Sequence, residues 1–281
     1  MRYTIFIFAI VGCVFAAGAA DWAQYRADAA RSGYSPEELP EELYPAWTYE
    51  PLHPPQPAWQ GVDTRMSFDH AHHVAVAGGL LFFGSSADGK VYALDAATGE
   101  TRWSFATAGP VRLAPAVWQG RVLVTSDDGL LYCLSAADGT LLWQKRGGPE
   151  GDLLLGNDRM ISRWPVRGGV AVTKDTVYFG AGIWPTEGIF LYALDPATGK
   201  VRWCNDESGA IHMPQPHPTA EADSGISIQG FLALGGEQLL VPTGRAVPAA
   251  FGRTIMRASS GIAAEWAARM RARLCPAWSA T

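Results

Sequence analysis

Ala93-Leu94-Asp95-Ala96-Ala97-Thr98-Gly99-Glu100-Thr101-Arg102-Trp103 returns in register as Ala193-Leu194-Asp195-Pro196-Ala197-Thr198-Gly199-Lys200-Val201-Arg202-Trp203. Both stretches end an apolar strand, pass through an Asp/Thr-Gly turn and leave on a strand that reaches Trp. A degenerate copy runs from Cys133 to Trp143, with Cys133 for Ala, Ser135 for Asp and Asp138 for Thr, while Gly139 and Trp143 are kept. Self-similarity of this kind sets the architecture before any residue is given a task.

Working outward, each copy closes a unit of four short β-patterned runs. The first unit is His73 to Ala77, Leu80 to Gly84, Lys90 to Asp95 and Thr101 to Phe105, with turns at Gly78-Gly79, Ala87-Asp88-Gly89 and Ala97-Thr98-Gly99. The second is Leu113 to Trp118, Arg121 to Thr125, Leu130 to Leu134 and Leu141 to Lys145, with turns at Gln119-Gly120, Asp127-Asp128-Gly129 and Ala137-Asp138-Gly139. The third is Val166 to Val172, Thr176 to Gly180, Phe190 to Asp195 and Lys200 to Trp203. Trp103 and Trp143 stand 40 residues apart and Trp143 and Trp203 stand 60 apart, the excess falling in loops at Gly147 to Arg163 and Trp184 to Gly188. Four strands in about 40 residues is the spacing of a β-propeller blade. No helical pattern separates the strands, which excludes a parallel α/β fold.

A fourth unit begins with Ile226 to Leu234 and Gln238 to Pro242, and Gly235-Gly236 repeats Gly78-Gly79. After Phe251 the pattern breaks into an Arg-rich segment with Ile262, Trp266 and Met270 at helical spacing. Residues 252–281 are read as a tail out of frame with the repeat, with a membrane-surface helix as the other reading.

The chain starts with Arg2, an apolar run from Thr4 to Phe15 and Ala17-Gly18-Ala19-Ala20, the order of an export signal. The run is shorter than the roughly 20 residues of a spanning helix, so no membrane span is expected in the mature chain. A membrane anchor is the alternative, as is lipoprotein anchoring at Cys13 through Ile10-Val11-Gly12-Cys13. The expected location is the periplasm or cell envelope. Residues 21–62 are read as a leader ending in a Pro-rich linker, with Trp47-Thr48-Tyr49 as a short strand within it, and residues 63–251 as the blades. Cleavage leaves Cys133, Cys204 and Cys275, an odd set that cannot make a complete disulfide framework; Cys133, in an Ala position, is expected to be a buried thiol.

A net charge of −5 gives no reason to expect nucleic acid as a partner. The 48% hydrophobic and 17% charged fractions describe a globular chain, and 31 Gly with 19 Pro suit a turn-rich β protein. Phosphate loops, His-Glu-x-x-His and Gly-x-Ser-x-Gly are missing from the sequence, so NTPases, zincins and α/β-hydrolases have no support. Two constellations carry chemistry. In Asp69-His70-Ala71-His72-His73, strand alternation puts His70 and His72 on one face, the beginning of a metal site if a third ligand joins them; ordinary surface or strand-end histidines are the other reading. Arg159-Met160-Ile161-Ser162-Arg163-Trp164 and His212-Met213-Pro214-Gln215-Pro216-His217 lie in long loops, where propellers place binding groups, with loop packing as the alternative.

Ala-x-Asp-x-x-Thr-Gly-x-x-x-Trp, matched in full at Ala93 to Trp103 and Ala193 to Trp203, resembles the tryptophan-docking motif of the PQQ-like (pyrroloquinoline-quinone-type) β-propeller repeat. The resemblance implies an all-β propeller of four-stranded antiparallel blades, about three complete and a partial fourth. It also implies blade-docking roles for Ala93, Asp95, Thr98, Gly99, Trp103, Gly139, Trp143, Ala193, Asp195, Thr198, Gly199 and Trp203, with a ligand-stacking role for the indoles as the alternative. Some members of this family are quinoprotein dehydrogenases that hold PQQ and calcium on the propeller axis, use an Asp as base and in many cases carry a disulfide between adjacent cysteines. Others have no cofactor and act as protein-binding scaffolds. No Cys-Cys pair and no mappable set of calcium ligands occur here. The expectation is therefore an exported, non-catalytic binding or scaffolding module without cofactor, whose partner is a protein or envelope component. A fragment of a PQQ/calcium-dependent dehydrogenase is the alternative. Open terminal blade edges are expected to self-associate.

Overall fold

The structure, a computed structural model, describes residues 20–58, 69–156, 158–209, 211–214, 221–242 and 249–253. The export signal with Cys13, and with them Cys275, His217 and the Arg-rich segment from 254, lie outside the described residues.

Period-2 alternation with a turn every few residues folds as antiparallel four-stranded sheets. The first blade is β1 (Val74–Ala77), β2 (Leu80–Ser85), β3 (Lys90–Asp95) and β4 (Thr101–Ala106), paired in chain order. The second is β5 (Ala116–Trp118), β6 (Arg121–Thr125), β7 (Leu130–Ser135) and β8 (Leu141–Arg146). A hairpin of β9 (Leu153–Gly156) and β10 (Arg159–Ser162) precedes the short β11 (Gly168–Gly169). The third blade is β12 (Ala171–Val172), β13 (Val177–Ala181), β14 (Phe190–Leu194) and β15 (Val201–Asn205). After it come a second hairpin, β16 (Ile211–Pro214) and β17 (Glu221–Ser224), and the short β18 (Gly230–Phe231). The fourth blade shows three strands, β19 (Ala233–Gly235), β20 (Gln238–Val241) and β21 (Ala249–Gly252). Among the described residues the chain is a β-propeller array of three complete blades and a partial fourth. The first strands are the inner ones, because β1 lies beside β5 and β5 beside β12.

Alternation sends neighbouring residues of a strand to opposite blade interfaces. Val122 and Val124 of β6 join Phe82, Val91 and Trp103 of the first blade. Leu123 between them joins Val177, Phe179 and Leu194 of the third. Tyr178, Leu191 and Ala193 of the third blade then pack on Leu234, Leu239 and Phe251 of the fourth.

The tryptophans cross these interfaces. Trp103 Nε1 donates to Ala136 O of the second blade at 2.9 Å, Trp143 to Pro196 O of the third at 3.3 Å, and Trp203 to Arg253 O of the fourth at 3.2 Å. Each indole lies on the turn glycine it faces: a Cβ on Gly139 would stand 2.6 Å from Trp103, and one on Gly199 2.7 Å from Trp143. The same glycines hold φ of +74° and +69°, a region that side chains with a Cβ avoid. Trp103, Trp143 and Trp203 pair across their own sheets with Ala93, Cys133 and Ala193, and a bulge follows at each of these sites. These partners are fully buried and small. Burial pushes the Cys133 thiol up to about 12, and Cys204 is disulfide-bonded.

The turns before the indoles are held by their acids. Asp95 Oδ1 accepts from the N–H groups of Ala97 and Thr98, and Asp195 Oδ1 from those of Ala197 and Thr198. Thr98 and Thr198 accept from Glu100 and Lys200. In the degenerate copy Asp138 takes the Thr task and accepts from the Thr140 N–H at 3.1 Å.

Several expectations are corrected. The runs 166–172 and 226–234 are not continuous strands: β11 and β18 break away and pair with each other in parallel. Gly168 and Gly169 permit this approach, since a Cβ there would meet Ile228 and Phe231. Of the two loops that hold the excess between Trp143 and Trp203, the one from Gly147 to Arg163 contains a hairpin, because Leu153 to Leu155 and Met160 to Ile161 flank a turn with Asp158 at φ +61°. The fourth unit continues past Phe251, since β21 runs to Gly252 and Arg253 receives Trp203.

Residues 21–34 form a strap along the ends of the inner strands. Trp22 bridges Val76, Ala23 O accepts from Val117, the Gln24 amide bonds both N–H and O of Val172 at 2.9 Å, and Ala29 O accepts from Leu234. Arg31 donates to Leu232 O and Val170 O; burial holds its guanidinium down at about 10. The strap therefore touches all four blades in chain order.

Gly139→Ala combines the strained φ with the clash on Trp103 and is expected to cost about 2 kcal/mol or more, read as a lowered urea midpoint at unchanged slope. Gln24→Ala leaves two buried backbone groups of Val172 unpaired, at about 1–3 kcal/mol each. Native-state hydrogen exchange should show faster exchange at Val172 in that variant and no change in the first blade's outer strand.

Candidate functional site

The inner strands have two ends. The strap floors one, and at the other the segments entering each blade surround a cavity of about 320 Å³ lined by Ala58, Asp69, Arg112, Leu113, Arg167 and Gln229. Its charged wall is built from a repeated tripeptide. Pro110-Val111-Arg112 enters the second blade and Pro165-Val166-Arg167 the third. In both, the Val N–H bonds back to the preceding blade, Val111 to Ser85 O and Val166 to Ser126 O. The arginines thereby reach the β6–β7 turn from both sides.

Asp127 waits on that turn, 1% exposed. Arg112 Nε donates to its Oδ2 at 2.8 Å; Arg167 grips both oxygens, Nε to Oδ1 and Nη2 to Oδ2, each at 2.9 Å. Arg112 also donates to Gln56 O at 2.7 Å and stands 3.8 Å from Asp69. Two guanidinium groups and two carboxylates make a balanced cluster with no surplus charge. Asp128 does separate work: it accepts from the N–H groups of Ala108 and Leu130 and from the Tyr132 hydroxyl. Burial, together with this bond, pushes the Tyr132 phenol upward.

The repeat explains the division. Asp88 in the first blade matches Asp128, with Tyr92 OH donating to it as Tyr132 does; Asp127 stands where the first blade has Ala87. The sequence reading took both acids for turn chemistry. The doubled Pro-Val-Arg was the available signal for a site, because two arginines at equal places in the repeat must face a common centre.

Of the residues singled out from sequence, His70 and His72 do not share a strand face, since β1 begins only at Val74. His70 is exposed. His72 lies against Phe83 with Nδ1 3.2 Å from Gly84 O. His73 sits edge-on to Tyr25 and Phe231, and burial lowers its pKa. Arg159 leaves the β9–β10 hairpin for the first blade, donating to Ser86 O, Ala87 O and Gln56 Oε1. Arg163 pairs with Glu187 and Asp152 and lies over Trp164. These groups border a second, open hollow of about 570 Å³, with Leu153, Leu154 and Trp184. His212 is exposed near Glu221, and its hairpin approaches the wall of this second hollow through β17 and the Pro185–Glu187 turn. Leu155 and Met160, paired across the first hairpin, are 72% and 54% exposed, and Leu153 is 57% exposed. Among the described residues no three His, Cys, Asp or Glu side chains converge as a metal site.

Residues 46–210, more than half of the chain, match the family profile described as outer membrane protein assembly factor BamB, of the PQQ-like repeat type. The chain belongs to this family. Among curated relatives, the dehydrogenase subunit of alcohol dehydrogenase (quinone) from Gluconacetobacter polyoxogenes is 32% identical over 145 residues, 47% of this chain and 19% of the relative. Outer membrane protein assembly factor BamB of Yersinia pestis is 33% identical over 92 residues, 30% of this chain and 23% of the relative. The chain thus spans about a fifth of the length of the curated relatives it matches. Quinohemoprotein alcohol dehydrogenase from Comamonas testosteroni superposes with a TM-score of 0.59 at 20% identity, over 87% of this chain and 41% of that one, a likeness of fold. No helix among the described residues is long and apolar enough to cross a membrane.

Asp127→Ala would strand two buried guanidinium groups, a loss of about 3–5 kcal/mol. Chemical denaturation should show that loss for the single variant and a much smaller one for Asp127→Ala with Arg112→Met and Arg167→Met together.

Proposed function

We propose that this chain is an exported, non-catalytic propeller module that binds a protein of the cell envelope through the β9–β10 hairpin. The observation that carries the reading is the apolar strip of Leu153, Leu155 and Met160, left exposed on a hairpin whose turn end Arg159 ties to the first blade. A monomeric surface rarely spends three large apolar side chains on an exposed hairpin without a partner. The neighbouring hollow, with Trp184 and the Arg163–Glu187 pair, adds an aromatic and a charged contact of the kind that anchors interfaces. Membership in a family described by an assembly factor supports the same reading.

The dehydrogenase alternative asks for PQQ with calcium at the axis, and the described residues lining the cavity do not favour that pair. Arg112 and Arg167 are already neutralised by Asp127, so among the described residues no positive surplus faces the cavity for a quinone bearing several carboxylates. Calcium takes six to eight oxygens, whereas Asp127 spends both of its own on guanidinium groups.

A photo-reactive residue at position 155, introduced in cells that export the chain, should give one discrete crosslinked species. The same probe at exposed Glu100 should not, and Met160→Glu should remove the species without changing the melting temperature. Equal crosslinking from both positions counts against the reading. Dye reduction by the purified chain supplied with PQQ, calcium and an alcohol would favour the dehydrogenase instead.

A further inference from the structure

The strap is pinned at the hub by a contact that contains a titratable ring. Tyr25 lies flat on Phe231 of β18, with ring centroids 3.6 Å apart and planes 6° from parallel. His73, immediately ahead of β1, stands nearly perpendicular to both, its centroid 5.5 Å from Tyr25 and 5.6 Å from Phe231. A ring equally far from the two members of a stack lies beside the pair and over neither face. Aromatic rims carry the positive end of the ring quadrupole, so they suit a neutral imidazole and repel an imidazolium. A cation is attracted to an aromatic ring when it sits over the face, and the cation over Phe231 is Arg31, with Cζ 5.6 Å from the centroid.

The charged groups around His73 do not compensate. The strap contributes Tyr25 and Arg31, with Asp28 beside the guanidinium; β18 contributes only Phe231 and Gly230. The segment ahead of β1 contributes His72 and Asp69. His72 turns its Nδ1 to Gly84 O, and Asp69 stands 3.8 Å from Arg112. Burial leads in lowering the His73 pKa, Asp69 opposes it and His72 adds to it. The stack has little room to rearrange around a charge. Phe231 is held against β11, where a Cβ on Gly169 would stand 2.1 Å from its ring. Hydrating a protonated His73 therefore falls to Tyr25, the member of the pair that belongs to the strap.

We propose that His73 is an acid-sensitive latch of the hub: a neutral imidazole lets the Tyr25–Phe231 stack hold the strap closed, and an imidazolium parts the stack and lifts residues 21–34 from the inner strands. Gly230, next to Phe231, lines the axial cavity, so release also loosens one wall of that cavity. The closed state takes the proton less readily than the open one. Closure is thus fully favoured above the ordinary histidine value of about 6.5 and weakens as the pH falls below it. A single proton limits the change to about tenfold for each pH unit. The latch is independent of the β9–β10 hairpin, which contributes no group to it.

Four amides report the strap, one in each inner strand: Val76 donates to Trp22 O, Val117 to Ala23 O, Val172 to Gln24 Oε1 and Leu234 to Ala29 O. Hydrogen exchange of the full chain, followed by NMR at about pH 7.5 and about pH 5 and corrected for the intrinsic pH dependence of exchange, tests the proposal. Protection at the four amides should fall together, by up to about thirtyfold, while the amides of β3 keep theirs. His73→Phe retains a ring beside the stack without a titrating group and should keep the four amides protected at both pH values. Should that variant disturb the hub, the ring C–H resonances of His73 in the unmodified chain give a second measurement, with titration expected below the ordinary histidine value. Protection that is the same at both pH values overturns the latch. So does an acid loss in His73→Phe equal to that of the unmodified chain, or titration of His73 at or above about 6.5.

Discussion

An indole lying flat on the backbone of the next blade is the contact on which this molecule depends. A blade alone is a twisted sheet with two apolar faces, and neither can be hidden within a single unit of about 40 residues. Trp103, Trp143 and Trp203 each span one such face and end in a hydrogen bond to a carbonyl of the following turn. The large flat side chain supplies buried area with little entropy to lose. The requirement for a bare α-carbon beneath it explains why Gly139 and Gly199 survive where Asp and Thr of the turn can be exchanged. Asp138 in the degenerate copy keeps the turn because its hydrogen bonds need an acceptor of the right reach, not one particular side chain.

The second constraint is electrostatic. Asp127 is enclosed by two arginines that arrive from different inter-blade segments. Burying a charge is tolerable only when partners satisfy it, and the arrangement then fixes geometry more than it adds stability. Here the carboxylate sets the angle between the entries to the second and third blades, and so shapes the cavity at the mouth of the array. The cluster is a joint at the mouth of the array.

Much of this was legible in the residues. The recurrence of Asp-x-x-Thr-Gly-x-x-x-Trp in the first and third blades, with its degenerate copy at Cys133 to Trp143 in the second, located their third-to-fourth strand turns, and the alternating runs located most strands to within a residue or two. Less visible was anything that depends on one blade meeting another. The run 166–172 looks like a single strand because Gly168-Gly169 is locally compatible with one; only the approach of Phe231 divides it. Asp127 and Asp128 look alike in a turn, and their fates separate because one faces the axis and the other its own sheet. Trp47, which donates to Ala96 O and lies on Gly99 as Trp103 lies on Gly139, was hidden by distance from the motif that usually announces such an indole. The leader, with its Pro-rich composition, reads as a linker, yet Tyr49 packs on Phe83 and Tyr92 of the first blade and Ala58 is buried.

The strap has a consequence in time. Gln24 and its partner Val172 are 148 residues apart in the chain, and Ala29 waits for Leu234. During synthesis the strap residues emerge ahead of the blades and are satisfied last, after each described inner strand has been laid down. Contacts of such long sequence separation are slow to form because the loop must close before they reward it. Until then Arg31 and the backbone of the strap keep their water, and the inner strand ends stay open. The blades can thus be joined one by one at the rim, while the hub is locked only when the final inner strand arrives.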